Sequence, residues 1–159
     1  DLNKKLQLVL EDIELDIKEK NAVIEIEHLP TIKGYRRQLQ QLFQNLISNS
    51  LKYAKPGIAP HIIIRSKQVL ANENSTVFSD GVNGKYHLIE VSDNGMGFDP
   101  SHNEDIFKLF YRLHQMETLS GTGIGLAIVK KVMQNHNGKN VAQSKQGEGA
   151  TFSLYFPVS

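Results

Sequence analysis

Apolar and polar positions recur along this chain with two different periods, and the switches between them mark its elements. Leu6, Val9, Leu10, Ile13 and Ile17 recur at helical spacing among many Glu, Asp and Lys, which predicts an amphipathic helix near residues 3–20. Ala22 to Glu27 alternates, with Val23, Ile24 and Ile26 apolar and Pro30 beyond, and predicts a short strand. From Tyr35 to Ala54 the helical period is clean, with Leu39, Leu42, Phe43, Leu46, Ile47 and Leu51 in one stripe. Lys55-Pro56-Gly57 ends that helix, because Pro cannot continue it and Gly tolerates the turn. His61 to Val69 and Tyr86 to Ser92 predict two strands joined by a polar loop, Asn72 to Lys85. Asp93 to Gly97 is a turn, Pro100 to Glu104 a polar loop, and Asp105 to Leu113 an apolar, aromatic stretch. Leu119 to Gly125 is glycine-rich, and Leu126 to Asn137 resumes helical spacing. A last pair of strands, Asn140–Ser144 and Ala150–Phe156, closes as a hairpin. Interleaved elements ending in a hairpin predict one mixed sheet with helices on a single face.

The long helix carries a second stripe. Asn45, Asn49, Lys52 and Tyr53 fall at i, i+4, i+7 and i+8 and share a face beside the apolar one. Asn is a mediocre helix-interior residue, so two of them stacked on successive turns need a reason beyond propensity. Two amide oxygens so placed suit a hard cation such as Mg²⁺, and a lysine one turn further suits the phosphates sharing that cation. The plain alternative for each residue alone is a solvated helix edge.

Two glycine turns add to this. Asp93-Asn94-Gly95-Met96-Gly97-Phe98 follows a strand directly. A carboxylate there accepts hydrogen bonds and would select a donor such as an exocyclic amine, while glycines let a planar base approach the backbone. The plain reading is an ordinary Asp-Asn-Gly turn, and the acidic ligands of a calcium loop are missing. Gly121-Thr122-Gly123-Ile124-Gly125-Leu126 opens a helix, where free backbone N–H groups suit phosphate. Its spacing fits neither a dinucleotide fingerprint nor a P-loop.

Bulk properties narrow the field. The 159 residues suit one domain, and 18 basic against 17 acidic residues give no whole-chain field that points to nucleic acid or a membrane surface. The absence of cysteine removes disulfides and thiol chemistry and is compatible with a reducing compartment. No apolar run approaches the roughly 18–20 residues of a membrane span, and the start has no signal-peptide core. Asn74-Ser75-Thr76 matches a glycosylation sequon, a pattern common by chance. Beginning in charged, helix-compatible sequence without Met, the chain reads as a piece of something longer.

Taken in order, these stretches resemble a known family. Asn45-Leu46-Ile47-Ser48-Asn49-Ser50-Leu51-Lys52-Tyr53-Ala54 resembles the N box of sensor histidine kinases, and Asp93 to Phe98 resembles their G1 box. Ile106-Phe107-Lys108-Leu109-Phe110-Tyr111-Arg112 resembles the F box, and Gly121 to Lys130 the G2 box. Gly147-Glu148-Gly149-Ala150-Thr151-Phe152 is similar to the turn before the family's last strand. The matches span most of residues 31–156 in the family's order.

The resemblance implies a Bergerat fold: an α/β two-layer sandwich, a mixed, mostly antiparallel sheet with about three helices on one face. It implies one ATP-binding catalytic domain over 1–159, with 1–20 leading from a missing dimerisation segment and 98–120 a lid that nucleotide orders. Asp93 would accept from the adenine amine, with Gly95 and Gly97 supporting the base turn. Asn49, helped by Asn45, would ligate Mg²⁺, Lys52 and Arg112 would reach phosphate, and Tyr53 would line the site. Gly121, Thr122, Gly123, Gly125 and Leu126 would wrap the triphosphate, while Phe107 and Phe110 would anchor the lid by packing. The implied reaction moves the γ-phosphoryl of ATP to a histidine on the dimerisation domain, for relay to a response-regulator aspartate. The implied setting is cytoplasmic, with a parent that is free or membrane-anchored and an isolated domain that is monomeric.

The ATPase relatives carry Glu where Asn45 stands. Asn cannot serve as a general base, so Asn45 favours phosphoryl transfer over hydrolysis. Two other readings are a nucleotide- or helix-binding module without chemistry, marked by loss of Asp93, Asn49 or a G2 glycine, and a serine-directed kinase or ATPase, marked by Glu at 45. Tyr35 stands where relatives often carry Asp, which removes a capping carboxylate. None of the histidines His28, His61, His87, His102, His114 or His136 sits in a phospho-acceptor motif, although His114 falls in the presumed lid.

Overall fold

The computed structural model describes residues 1–79, 82–108 and 125–158. Two short helices, α1 (Leu2–Asp12) and α2 (Glu14–Lys20), precede strand β1 (Val23–Ile26). The long helix α3 (Arg36–Lys52), strands β2 (His61–Leu70) and β3 (Lys85–Asp93), helix α4 (Gly125–Asn135) and strands β4 (Lys139–Lys145) and β5 (Gly149–Pro157) follow. The strands form one sheet in the order β1-β2-β3-β5-β4. β1 runs parallel to β2, and the other three pairings are antiparallel. The mixed, mostly antiparallel two-layer sheet is as the sequence implies.

Alternation along the strands builds the core. Ile62 and Ile64 of β2, Ile89 and Val91 of β3, and Phe152, Leu154 and Phe156 of β5 all bury against the helical layer. The whole predicted stripe of α3, Leu39 to Leu51, lies in the same cluster, joined by Val129, Val132 and Met133 of α4. Burying a Phe or Leu side chain of this kind contributes about 1.5–3 kcal/mol, so this face accounts for most of the packing.

Two expectations are corrected. The leading helix is broken: Ile13 adopts φ −113°, ψ 19°, which separates α1 from α2 where one helix near residues 3–20 was expected. Leu2, Leu6, Val9 and Ile13 all enter the main core; the break lets the chain bend and seat them. The loop between β2 and β3 is also more than a polar connection. Ala71 and Phe78 pack with Leu88 and Tyr155 in a second cluster, which also takes in Val69, Val77, Tyr86 and Val141.

Asn3 clamps α1 in place. Its amide nitrogen donates to Leu29 O at 2.7 Å, and Leu29 N donates to its amide oxygen at 2.8 Å. Asn3→Ala removes both partners from a part-buried peptide group, so a loss of about 1–3 kcal/mol is expected in urea unfolding. An unchanged midpoint would mean that α1 contributes nothing through this clamp.

Candidate functional site

The site assembles where the C-terminal half of α3 meets the end of β3 and the β4–β5 turn. Asp93 is the last residue of β3 and three donors hold its carboxylate. Gly95 N donates to Oδ1 at 2.9 Å, Ala150 N to the same oxygen at 3.3 Å, and the Ser50 hydroxyl to Oδ2 at 3.0 Å. Burial pushes this carboxyl above the ordinary carboxylate value, and the bonds from Gly95, Ser50 and Ala150 recover part of that rise. A partly desolvated carboxylate held by three donors from three segments is a rigid acceptor.

The turn after Asp93 docks on the end of α3. Met96 N donates to Tyr53 O at 2.9 Å, which satisfies one of the helix's orphan carbonyls. A Cβ at Gly95 would lie 2.7 Å from that same Tyr53 O, so a side chain there would lift the turn off the helix. Gly97 has φ +64° and faces the carbonyls of Lys145 and Gly149, so it answers both a left-handed backbone and a close approach. Ser144 ties the far side: its hydroxyl accepts from Phe98 N at 2.8 Å and donates to Gly149 O at 2.6 Å.

Asn49, Tyr53, Asp93 and Gly97 line one pocket, closed by Phe98, Ile106 and Phe152. Four of the predicted residues therefore converge from segments some 40 positions apart. Asn45 sits one turn before Asn49 and its amide nitrogen donates to Gly125 O at 3.4 Å, which places the first turn of α4 beside the polar stripe. The Lys52 ammonium lies 5.3 Å from the Tyr53 ring centroid. Leu126 packs against the main core. Arg112, Gly121, Thr122, Gly123, Phe110 and His114 lie outside the described residues. Of the presumed lid, Phe98, Ile106 and Phe107 are buried, and Phe107 meets Phe152 edge-on with centroids 6.1 Å apart. All three belong to the main core cluster.

The donor chemistry fits Mg²⁺. With its nitrogen committed to Gly125, Asn45 has its amide oxygen as the available atom, one turn from the amide of Asn49. Hard oxygen donors of this sort, few in number, are what a cation that keeps several waters requires.

Sequence reasoning missed Ser50, Ala150 and Ser144. Ser50 is only 2 % exposed and sits on the apolar stripe of α3 between Ile47 and Leu51. A hydroxyl on a buried stripe needs a partner, and that was the available signal. Of the histidines, His136 is buried, accepts from Tyr35 N at 3.0 Å through Nε2, and meets Val132 O at 2.7 Å through Nδ1. It satisfies the backbone N–H of Tyr35, the N-cap residue of α3, a structural role. His61 pairs with Glu25 at 2.6 Å on the surface.

Comparison with known proteins places this geometry. A family model described as histidine kinase-, DNA gyrase B- and HSP90-like ATPase matches residues 34–159. The chain is 39 % identical over 158 residues to cyanobacterial phytochrome A of Nostoc sp., covering 99 % of this chain and 19 % of that protein. It is 36 % identical to the phytochrome-like protein Cph1 of Synechocystis sp., with the same coverages. It thus spans about a fifth of the length of these curated relatives. The mycobacterial sensor histidine kinase MprB superposes with a TM-score of 0.75 at 21 % identity, covering 99 % of this chain and 94 % of that one. Full-length ShkA in complex with AMPPNP gives 0.74 at 23 % identity, covering 100 % and 31 %. At such identities these two structures speak for the fold.

Proposed function

The chain belongs to the histidine kinase-, DNA gyrase B- and HSP90-like ATPase family, and from that premise we propose that it donates the γ-phosphoryl of ATP to a histidine on a separate dimerisation domain. ATP binding is what the family implies. The observation that carries the finer reading is the buried Asp93 carboxylate, fixed by Ser50, Gly95 and Ala150 on a pocket shared with Asn49.

Ionised Asp93 accepts the adenine amine, and the Gly95 and Gly97 turn keeps the backbone flat enough for the base. The Asn45 and Asn49 oxygens would hold Mg²⁺, which supplies neutralisation of phosphate charge when bound. Lys52, Arg112 and the Gly121–Leu126 segment address the phosphates, and Tyr53 borders the nucleotide. Asn45 offers no base to activate water, so transfer to an acceptor nitrogen is favoured over hydrolysis. The acceptor histidine lies on the dimerisation domain and a response-regulator aspartate receives the phosphoryl next. The family match and the 35 % identity over 124 residues to the sensor histidine kinase WalK of Bacillus subtilis support this reading. No helix among the described residues is long and apolar enough to cross a membrane; a cytoplasmic, monomeric domain serving a free or anchored parent is part of the proposal.

The test joins the chain to an acceptor domain of a phytochrome-type relative and incubates it with γ-labelled Mg-ATP. Acid-labile, base-stable label on the acceptor is expected. Steady phosphate release without label would replace the kinase by an ATPase.

A further inference from the structure

The edge of the sheet beside β5 is open but walled. β4 ends the strand order, so no strand among the described residues pairs with its outer side. Residues 138–143 all line a single trough of about 610 Å³. Ala142 belongs to the main core and Val141 packs on the second cluster across the sheet, so the trough follows the backbone edge and covers neither face. Val77 walls it on one side and Phe107 on the other. The five trough residues in β4, 139–143, extend about 17 Å, long enough to pair with an incoming strand. Asn103, on the same wall, carries a buried amide oxygen with no hydrogen-bond partner among the described residues.

Charge selects the occupant. Exposed Lys130 of α4 and Lys139 of β4 line the trough against one acid, Glu104. A second copy of this chain would bring its own Lys130 and Lys139 to the same seam, and like charges opposite each other oppose pairing. Lysines on an edge are a common guard against self-association. We propose that this edge takes an extended, acidic segment of a partner protein as a sixth strand, with Asp or Glu side chains set beside Lys130 and Lys139. The trough shares no lining residue with the pocket around Asp93.

A random octapeptide display library panned on the immobilised chain, followed by amide hydrogen exchange with the selected peptides, tests this. Enriched peptides are expected to be rich in Asp, Glu and β-branched residues, to lack Pro, and to slow exchange at residues 138–143 at least tenfold. Lys130→Glu with Lys139→Glu, both exposed, should weaken them at least tenfold at an unchanged Tm. Four outcomes would overturn the proposal: no enrichment, a neutral or basic consensus, protection elsewhere, or binding that ignores the charge reversal. Peptide-free dimerisation that protects 138–143 would assign the edge to self-pairing instead.

Discussion

Asp93→Asn should lower affinity for Mg-bound, non-hydrolysable ATP analogue about 100-fold or more, with the folded chain as stable as before or more so. Losing a charge-assisted hydrogen bond costs about 1.5–3 kcal/mol. The new amide would also turn a donor, or a weaker acceptor, toward the adenine amine. The fold should survive because the asparagine oxygen can still accept from Gly95 and Ala150, and the Ser50 hydroxyl can rotate to accept from the new NH₂. Stability follows from the sign of the shift. The folded carboxyl of Asp93 lies above its ordinary value, chiefly because burial penalises the charge. Its contribution is therefore fully present below the unfolded carboxylate value and is lost as pH rises through the folded one. At neutral pH the ionised group is a cost, which Asn removes. Nucleotide affinity runs the other way, weakening as pH falls through that raised value, and the variant should lose this dependence. Calorimetric titration across pH with thermal melts separates the two effects. Undiminished binding by the variant would remove Asp93 from the site.

Gly149→Ala should cost about 3–5 kcal/mol and lower Tm by roughly 10 °C or more, among the larger effects available to one methyl group. Gly149 has φ +93°, and an added Cβ would overlap the carbonyl oxygen of Asp93. Backbone strain and a backbone clash therefore act together, and the clash cannot be relieved by rotating a side chain. Gly147 provides the control: φ is +83° and nothing lies within 4 Å of its would-be Cβ. Its Ala variant should show only the conformational cost, about 1–2 kcal/mol. Because Ala150 N donates to Asp93, displacing residue 149 should also weaken nucleotide in step with stability. Equal melting temperatures for the two variants would mean that strain alone, without the contact, governs this turn.

The sequence by itself determined most of the elements and which residues share a face. The stripe of α3, the alternating strands and the final hairpin are local periodicities, because a residue's face is fixed by 3.6 or 2 residues per repeat. Asn45, Asn49, Lys52 and Tyr53 are on one face for that reason, and the glycine turns announce themselves by composition. Local pattern could not say which residues complete the Asp93 environment. Ser50 and Ala150 reach it across separations of 43 and 57 residues, and packing of α3 on the sheet sets those contacts. The break at Ile13, the burial of Phe78 beneath the β2–β3 connection and the parallel seating of β1 are likewise tertiary decisions. Each depends on which apolar surface is available to cover, a quantity no short window of sequence contains. The open edge at β4 is of the same kind, since strand order decides which strand is left without a neighbour.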